Sequence, residues 1–197
     1  MKKYLFIFLS ILLVSVTYAH GFKFMGGLNL SKYAVEPEEN GIEWKNKTGF
    51  LAGAGIDISL VPNIAIEIDA LYFQKGSKRK SAVEDLDYIL NVISVPALLR
   101  IKFLPGPSPY ILGGGEFSFI LSHKIYEEDI EEEDIKEKTK SFDYGLVFGA
   151  GFEMTMPGAS IFIEGRYNIG MNNIIKEPVG DESMKTMAIV VIIGIKI

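Results

Sequence analysis

Three very short, proline-marked connections alternate with four long polar ones along this 197-residue chain, and stretches of period-two hydrophobicity fill the intervals between them. The short ones are Val61-Pro62-Asn63, Leu104-Pro105-Gly106-Pro107-Ser108-Pro109 and Met156-Pro157-Gly158-Ala159. Each intervening stretch is long enough to cross a bilayer as a tilted strand of roughly 9 to 11 residues. Tight turns at one end and extended loops at the other are the plan of an up-and-down membrane barrel. The spacing predicts an all-β fold, an eight-stranded antiparallel up-and-down transmembrane β-barrel.

The strands are expected at about 21–31, 48–60, 64–74, 89–103, 110–121, 141–155, 160–171 and 185–197. In the second, Phe50, Ala52, Ala54, Ile56, Ile58 and Leu60 form one face, against Gly49, Leu51, Gly53, Gly55, Asp57 and Ser59 on the other. The run Gly53-Ala54-Gly55-Ile56-Asp57, a proline turn and Ile66-Glu67 recur as Gly149-Ala150-Gly151-Phe152-Glu153, a proline turn and Ile163-Glu164. Duplication and convergent small-residue packing explain this equally well. Either way, glycines on the polar face thin the wall and leave room for long side chains from opposite strands.

Lys2 and Lys3 precede an apolar run from Tyr4 to Val16, followed by Thr17-Tyr18-Ala19. This is the pattern of a secretory signal peptide over 1–19, with the barrel domain over 20–197. The run is too short to be preferred as a spanning helix. Losing the two lysines makes the formal charge of −5 more negative still, which argues against nucleic acid as a partner. The absence of cysteine excludes a disulfide scaffold, so stability must come from burial or from a closed hydrogen-bonded sheet.

Alternation alone does not say which face points inward. A soluble calycin-like barrel would hold its apolar face inside, around an apolar ligand in the periplasm. A membrane barrel turns an apolar band of roughly 25 Å outward between aromatic girdles. The apolar faces here carry almost no charge over spanning lengths, and Phe50, Tyr72, Phe103, Phe119, Phe142, Tyr144 and Tyr167 recur near strand ends. The membrane orientation follows.

The polar face then lines the lumen, placing Lys23, Asp57, Glu67, Asp69, Arg100, Lys102, Glu116, Glu153, Glu164, Arg166 and Lys196 inside. A barrel of this size has an interior only wide enough for side chains to fill. Charges there must pair, because an uncompensated buried charge costs several kcal/mol. Glu67 and Asp69 are expected to meet Arg100 and Lys102, and Glu153 or Glu164 to meet Arg166. A plugged, salt-bridged interior is the expectation, with a minor small-solute channel as an alternative.

Several stretches carry a family resemblance: Ile93-Ser94-Val95-Pro96, Pro109-Tyr110 leading to Gly113-Gly114, Phe142-Asp143-Tyr144-Gly145 leading to Gly149-Ala150-Gly151-Phe152-Glu153, and Glu164-Gly165-Arg166-Tyr167 leading to Gly170. In order and spacing the chain resembles the small outer-membrane β-barrels called PorT-like or porin-family, similar in architecture to OmpA-type and OmpX-type barrels. The resemblance implies a Gram-negative outer-membrane protein embedded in lipid with no defined activity. One departure is the terminal Ile195-Lys196-Ile197, where many such barrels carry an aromatic residue.

Candidate chemistry is sparse. Gly53-Ala54-Gly55 and Gly113-Gly114-Gly115 complete no phosphate-binding loop and open no helix. His20 and His123, without cysteine, supply a metal site poorly, and no cofactor is expected. Ser122-His123 beside acidic residues lacks a third, orienting group, so no enzyme is expected. The loop 122–140 carries Glu127, Glu128, Asp129, Glu131, Glu132, Glu133 and Asp134 without the spaced ligands and glycine of a calcium loop. The loop before it carries Lys75, Lys78, Arg79 and Lys80, and a salt-sensitive contact between these neighbouring surface loops is expected. The partners implied are the outer-membrane bilayer and surface or envelope proteins, with the barrel itself a monomer.

Overall fold

The computed structural model describes residues 21–37, 41–82, 84–127 and 130–197, the side chains of 131 and 132 excepted. The signal segment 1–19, His20, Glu128 and Asp129 lie outside the described residues. Nine strands follow in order: β1 (Gly21–Glu36), β2 (Glu43–Val61), β3 (Ile64–Lys80), β4 (Asp85–Lys102), β5 (Ser108–Glu127), β6 (Ile130–Asp134), β7 (Phe142–Met156), β8 (Ala159–Gly170) and β9 (Ser183–Lys196). Every pairing among them is antiparallel, and β4 pairs with β5 as well as with β3, so the sheet closes into a ring. Eight strands form the wall, while β6 pairs only with the upper part of β5 as a loop hairpin.

The apolar face points outward. Phe117 and Ile193 are 62% and 61% exposed, while Lys23 and Glu67 on the opposite face are almost fully buried. This orientation overturns the soluble calycin-like alternative, because a barrel in water would bury these apolar side chains rather than its charges. Among the described residues no helix is long and apolar enough to cross a membrane. The chain crosses with strands.

Three barrel hairpins extend well past the lengths that hydrophobic alternation predicts. β3 and β4 stay paired from Lys75↔Leu90 to Lys80↔Asp85, so the second long loop is mostly sheet. The inner face stays buried at Lys75, Ser77 and Leu90, while the residues nearer the tip are mostly charged and carry no apolar rhythm. Cross-strand ion pairs line this extension instead, with Lys80 Nζ 2.7 Å from Asp85 and Arg79 3.1 Å from Glu84.

A bulge in β5 changes which residues face inward. Asn91 pairs with Ser122 while Val92 pairs with Ile120, which leaves Leu121 as the extra residue. Below it Glu116, Ser118 and Ile120 are buried; above it the phase flips and His123 is buried.

The two glycine-rich hairpins differ in register despite their similar sequences. Asp57 stands opposite Glu67, whereas Glu153 faces Phe162 and Glu164 faces Gly151.

Candidate functional site: the filled lumen and the outer rim

Inward residues along a strand define storeys. From the short-turn end, β3 presents Ala65, Glu67, Asp69, Leu71, Phe73 and Lys75, and β5 presents Tyr110, Leu112, Glu116, Ser118, Ile120 and, past the bulge, His123. Charge, hydrocarbon, a polar belt and an aromatic cap therefore succeed one another. Hydrocarbon accompanies the salt-bridged filling: Leu51, Leu71, Phe73, Val92, Val190 and Ile192 pack as a hydrophobic cluster inside the ring. An eight-stranded lumen is narrow enough for side chains to exclude water from part of it.

The lowest storey is an ion-pair network. Lys23 Nζ lies 2.7 Å from Glu67, 3.0 Å from Asp69 and 3.3 Å from Asp57. Arg100 reaches Glu153 at 2.6 Å, Asp57 at 2.7 Å and Glu67 at 2.9 Å. Arg166 contacts Glu164 at 2.6 Å and Asp69 at 3.0 Å. Lys102 and Lys196, at the mouth, both meet Glu153, at 2.9 and 2.8 Å. Five cations thus face five carboxylates.

The partners differ in part from those expected. Arg100 does meet Glu67, but Asp69 bonds Lys23 and Arg166, and Lys102 bonds Glu153 rather than either acid of β3. Tyr110, which charge patterning does not single out, joins the network by donating to Glu164 at 2.8 Å. Its ring occupies the space over Gly151, where a Cβ would come within 2.5 Å of Tyr110 Cζ. Glycine at 151 leaves the space that the ring fills. With Glu116 of the polar belt included, all eight wall strands supply an ionised group to the lumen.

Lys75 was expected among the surface-loop charges, and here the structure corrects the sequence reading. It is only 4% exposed, with Nζ 2.7 Å from Glu116 Oε1 in the polar belt. The inward phase of β3, running through Glu67, Asp69, Leu71 and Phe73, simply continues one step further. Lys78, Arg79 and Lys80 do lie at the surface, yet they pair with Asp87, Glu84 and Asp85 of their own hairpin. In the acidic hairpin Glu133 pairs with Lys138 at 2.5 Å, and Asp134 accepts from the Lys136 backbone N–H at 2.9 Å. Among the described residues, charge pairing within each loop replaces the expected contact between the two. Partners near in sequence are reached at a smaller cost in chain ordering.

The aromatic cap closes the outer end. Tyr33, Trp44 and Tyr88 stand with ring centroids 5.1 to 6.0 Å apart. His123 Nε2 lies 3.0 Å from Tyr33 Oη, and its Nδ1 lies 2.8 Å from Thr139 Oγ1. The Thr139 hydroxyl donates its proton to the Ile135 carbonyl, so it accepts from Nδ1–H, and Nε2 then accepts from Tyr33. His123 thereby ties the barrel wall to the third loop. That loop is pinned to the fourth by Lys140 N–H to Ile174 O and Lys176 N–H to Lys138 O.

Ser122 accepts from Asn91 Nδ2 at 2.9 Å, and its neighbour His123 is committed to Tyr33 and Thr139. The pair forms no nucleophile–base arrangement.

An opening interrupts the rim between β1 and β2. Pairing of β1 with β2 stops at Ser31↔Lys47, while β1 continues along β9 to Glu36↔Ser183. The two arms part there, leaving a cleft of about 530 Å³ bordered by Lys32, Val35, Glu36, Ile42, Trp44 and Met187.

A closed antiparallel ring with an apolar exterior and a charge-filled lumen defines an integral outer-membrane β-barrel of the plugged kind. The outer membrane protein beta-barrel domain family matches residues 19–176, and the chain belongs to that family. Among solved structures, OprG from Pseudomonas aeruginosa is similar over 91% of this chain and 95% of its own, with 16% identity and a TM-score of 0.55. Ail, the attachment invasion locus protein of Yersinia pestis, shares 16% identity over 90% of this chain and 99% of its own, with a TM-score of 0.46. Neisserial surface protein A shares 12% identity over 89% and 97%, with a TM-score of 0.48. No curated protein matches the chain.

Proposed function

We propose that the protein is a sealed barrel of the cell envelope that works at its outer rim, as a surface-interaction or envelope-supporting protein, and not through its lumen. It is exported by the leader over 1–19 and stands in the outer membrane as a monomer, among the PorT-like barrels that its strand motifs resemble. The observation that carries this reading is the balanced network of Lys23, Arg100, Lys102, Arg166 and Lys196 with Asp57, Glu67, Asp69, Glu153 and Glu164. Above it lie a hydrophobic layer and the aromatic cap, so a solute would have to break buried ion pairs and displace packed side chains to pass. The cleft between β1 and β2 and the acidic hairpin of β5 and β6 are the rim features left to meet a partner.

The test is conductance of the purified protein in planar bilayers. No steady single-channel current is expected. A sustained ohmic current would overturn the reading in favour of the small-solute channel. Protease cleavage within 122–140 on intact cells is the companion measurement, since it requires the long loops to face outward.

A further inference from the structure

The ion-pair network balances as a set but not from end to end. Each of its five carboxylates sits on a side chain no more than 3% exposed, whereas the side chains of Lys102 and Lys196 are 16% exposed. The acids are shut inside while two of the ammonium groups stand at the mouth. Among the described residues, Lys102 Nζ meets the carboxylate of Glu153 alone, at 2.9 Å. Lys196 Nζ meets Glu153 at 2.8 Å and Asp57 at 3.3 Å. An ammonium carries three donors, so both lysines keep hydrogen-bonding capacity beyond these contacts.

Both line one pocket of about 90 Å³ at the short-turn end, together with Arg100, Ser59 and the turn residues Pro62 and Asn63. No aspartate or glutamate lines it. The three short turns at this end, 61–63, 104–109 and 156–159, carry no charged residue either. Arg100 is the more deeply buried of the three cations, and Glu153, Asp57 and Glu67 fix its guanidinium in place. The pocket is thus a concavity lined by positive charge, with the matching carboxylates set behind its wall.

We propose that this pocket binds one phosphate group, held by the ammonium groups of Lys102 and Lys196 with Arg100 adding its charge from below. A cleft lined by one sign of charge and walled by low-dielectric material concentrates ions of the other sign. Hydrogen bonds from ammonium to phosphate oxygen are roughly twice as strong as neutral ones. Spare donors on two separate lysines favour an anion with several oxygens over a halide. The volume is far below the roughly 300 Å³ at which pockets for larger organic ligands begin, so a single tetrahedral oxyanion fits and a nucleotide does not. Glu153 lies beyond the lysines, but Arg100 holds it at 2.6 Å, so the phosphate meets no bare carboxylate. The same chemistry is offered by a phospholipid headgroup at the membrane surface around the short turns and by phosphate free in solution.

The test uses the purified full chain in an uncharged, phosphate-free detergent, unfolded thermally at matched pH and ionic strength. Sodium phosphate in place of sodium chloride is expected to raise the midpoint and then saturate, as binding to the folded state requires, at concentrations too low for the general stabilising effect of phosphate. Lys102→Gln should raise several-fold the phosphate concentration giving half the effect. Lys102→Gln/Lys196→Gln should abolish it, and Lys80→Gln at the opposite rim should leave it unaltered. Arg100 keeps Glu153 paired in the double variant, and broadening of the phosphorus NMR line of inorganic phosphate reads binding independently of stability. A second arm adds dioleoyl phosphatidic acid to the micelles, with dioleoylglycerol as its counterpart lacking phosphate. A higher midpoint with phosphatidic acid and not with dioleoylglycerol assigns the site to a lipid headgroup; a rise with inorganic phosphate and with neither lipid assigns it to the free anion. No rise with either phosphate probe, or a saturable rise retained in the double variant, would overturn the proposal.

Discussion

Asp69 and Arg166 meet at 3.0 Å although they stand on β3 and β8, four places apart around a ring of eight. No greater separation is possible in such a ring, so this ion pair is a strut across the full width of the lumen. Arg166→Met would leave Asp69 with Lys23 and strip Glu164 of its closest cation. Removing one partner of a buried pair costs about 3–5 kcal/mol. The expected result is a marked fall in the temperature at which the folded, fast-migrating band converts to the unfolded one on unheated gels.

Lys75 and Lys80 occupy the same strand on a lysine-rich stretch and should behave oppositely. Lys75→Met leaves Glu116 buried without its cation and is expected to cost about 3–5 kcal/mol. Lys80→Met breaks an exposed, solvent-screened pair with Asp85 and should leave stability almost unchanged. Denaturant unfolding of both variants, with Lys75→Met/Glu116→Leu as the compensated double variant, measures the contrast. The double variant should recover much of the loss.

Tyr110→Phe removes one hydroxyl bond to Glu164, which keeps Arg166 as a partner. A loss of about 1 kcal/mol is expected. Gly151→Ala attacks the same contact sterically, driving a methyl group into the Tyr110 ring. It should be the more damaging of the two in parallel thermal melts, because the ring has no room to retreat in a filled lumen.

His123→Phe keeps an aromatic ring beside Tyr33 and Tyr88 but cuts the link from the wall to Thr139. The barrel should remain folded while the third loop loosens. Faster proteolysis within 122–140, with only a small fall in the unfolding midpoint from the unpaired Tyr33 hydroxyl, is the expected pattern.

The wall was legible because the bilayer forces period two on it, and each of the eight strands lies close to where alternation predicts. Lumen partners were less so. Alternation assigns a residue to a face but not to an angle around the ring, and Asp69 finds Arg166 through strand tilt that a one-dimensional pattern does not encode. Lys75 was within reach of the same reasoning, since the inward phase of β3 needed only one more step past Gln74. His123 was not, because the bulge at Leu121 reverses the phase without any proline or glycine to announce it. The tall hairpin of β3 and β4 escaped for a different reason: its cohesion lies in cross-strand ion pairs, and a charge-rich stretch reads as loop when hydrophobicity is the guide.

Each of the eight staves contributes a charge to the material that fills the middle, so the stopper is not a separate part that could be withdrawn. A chain with seven strands in register and one still unpaired would expose widowed carboxylates and ammonium groups to whatever surrounds it. Closing the seam between β1 and β9 brings Lys196 to Asp57, the acid it shares with Lys23. The wall and its filling therefore depend on each other, and neither is whole without the last strand.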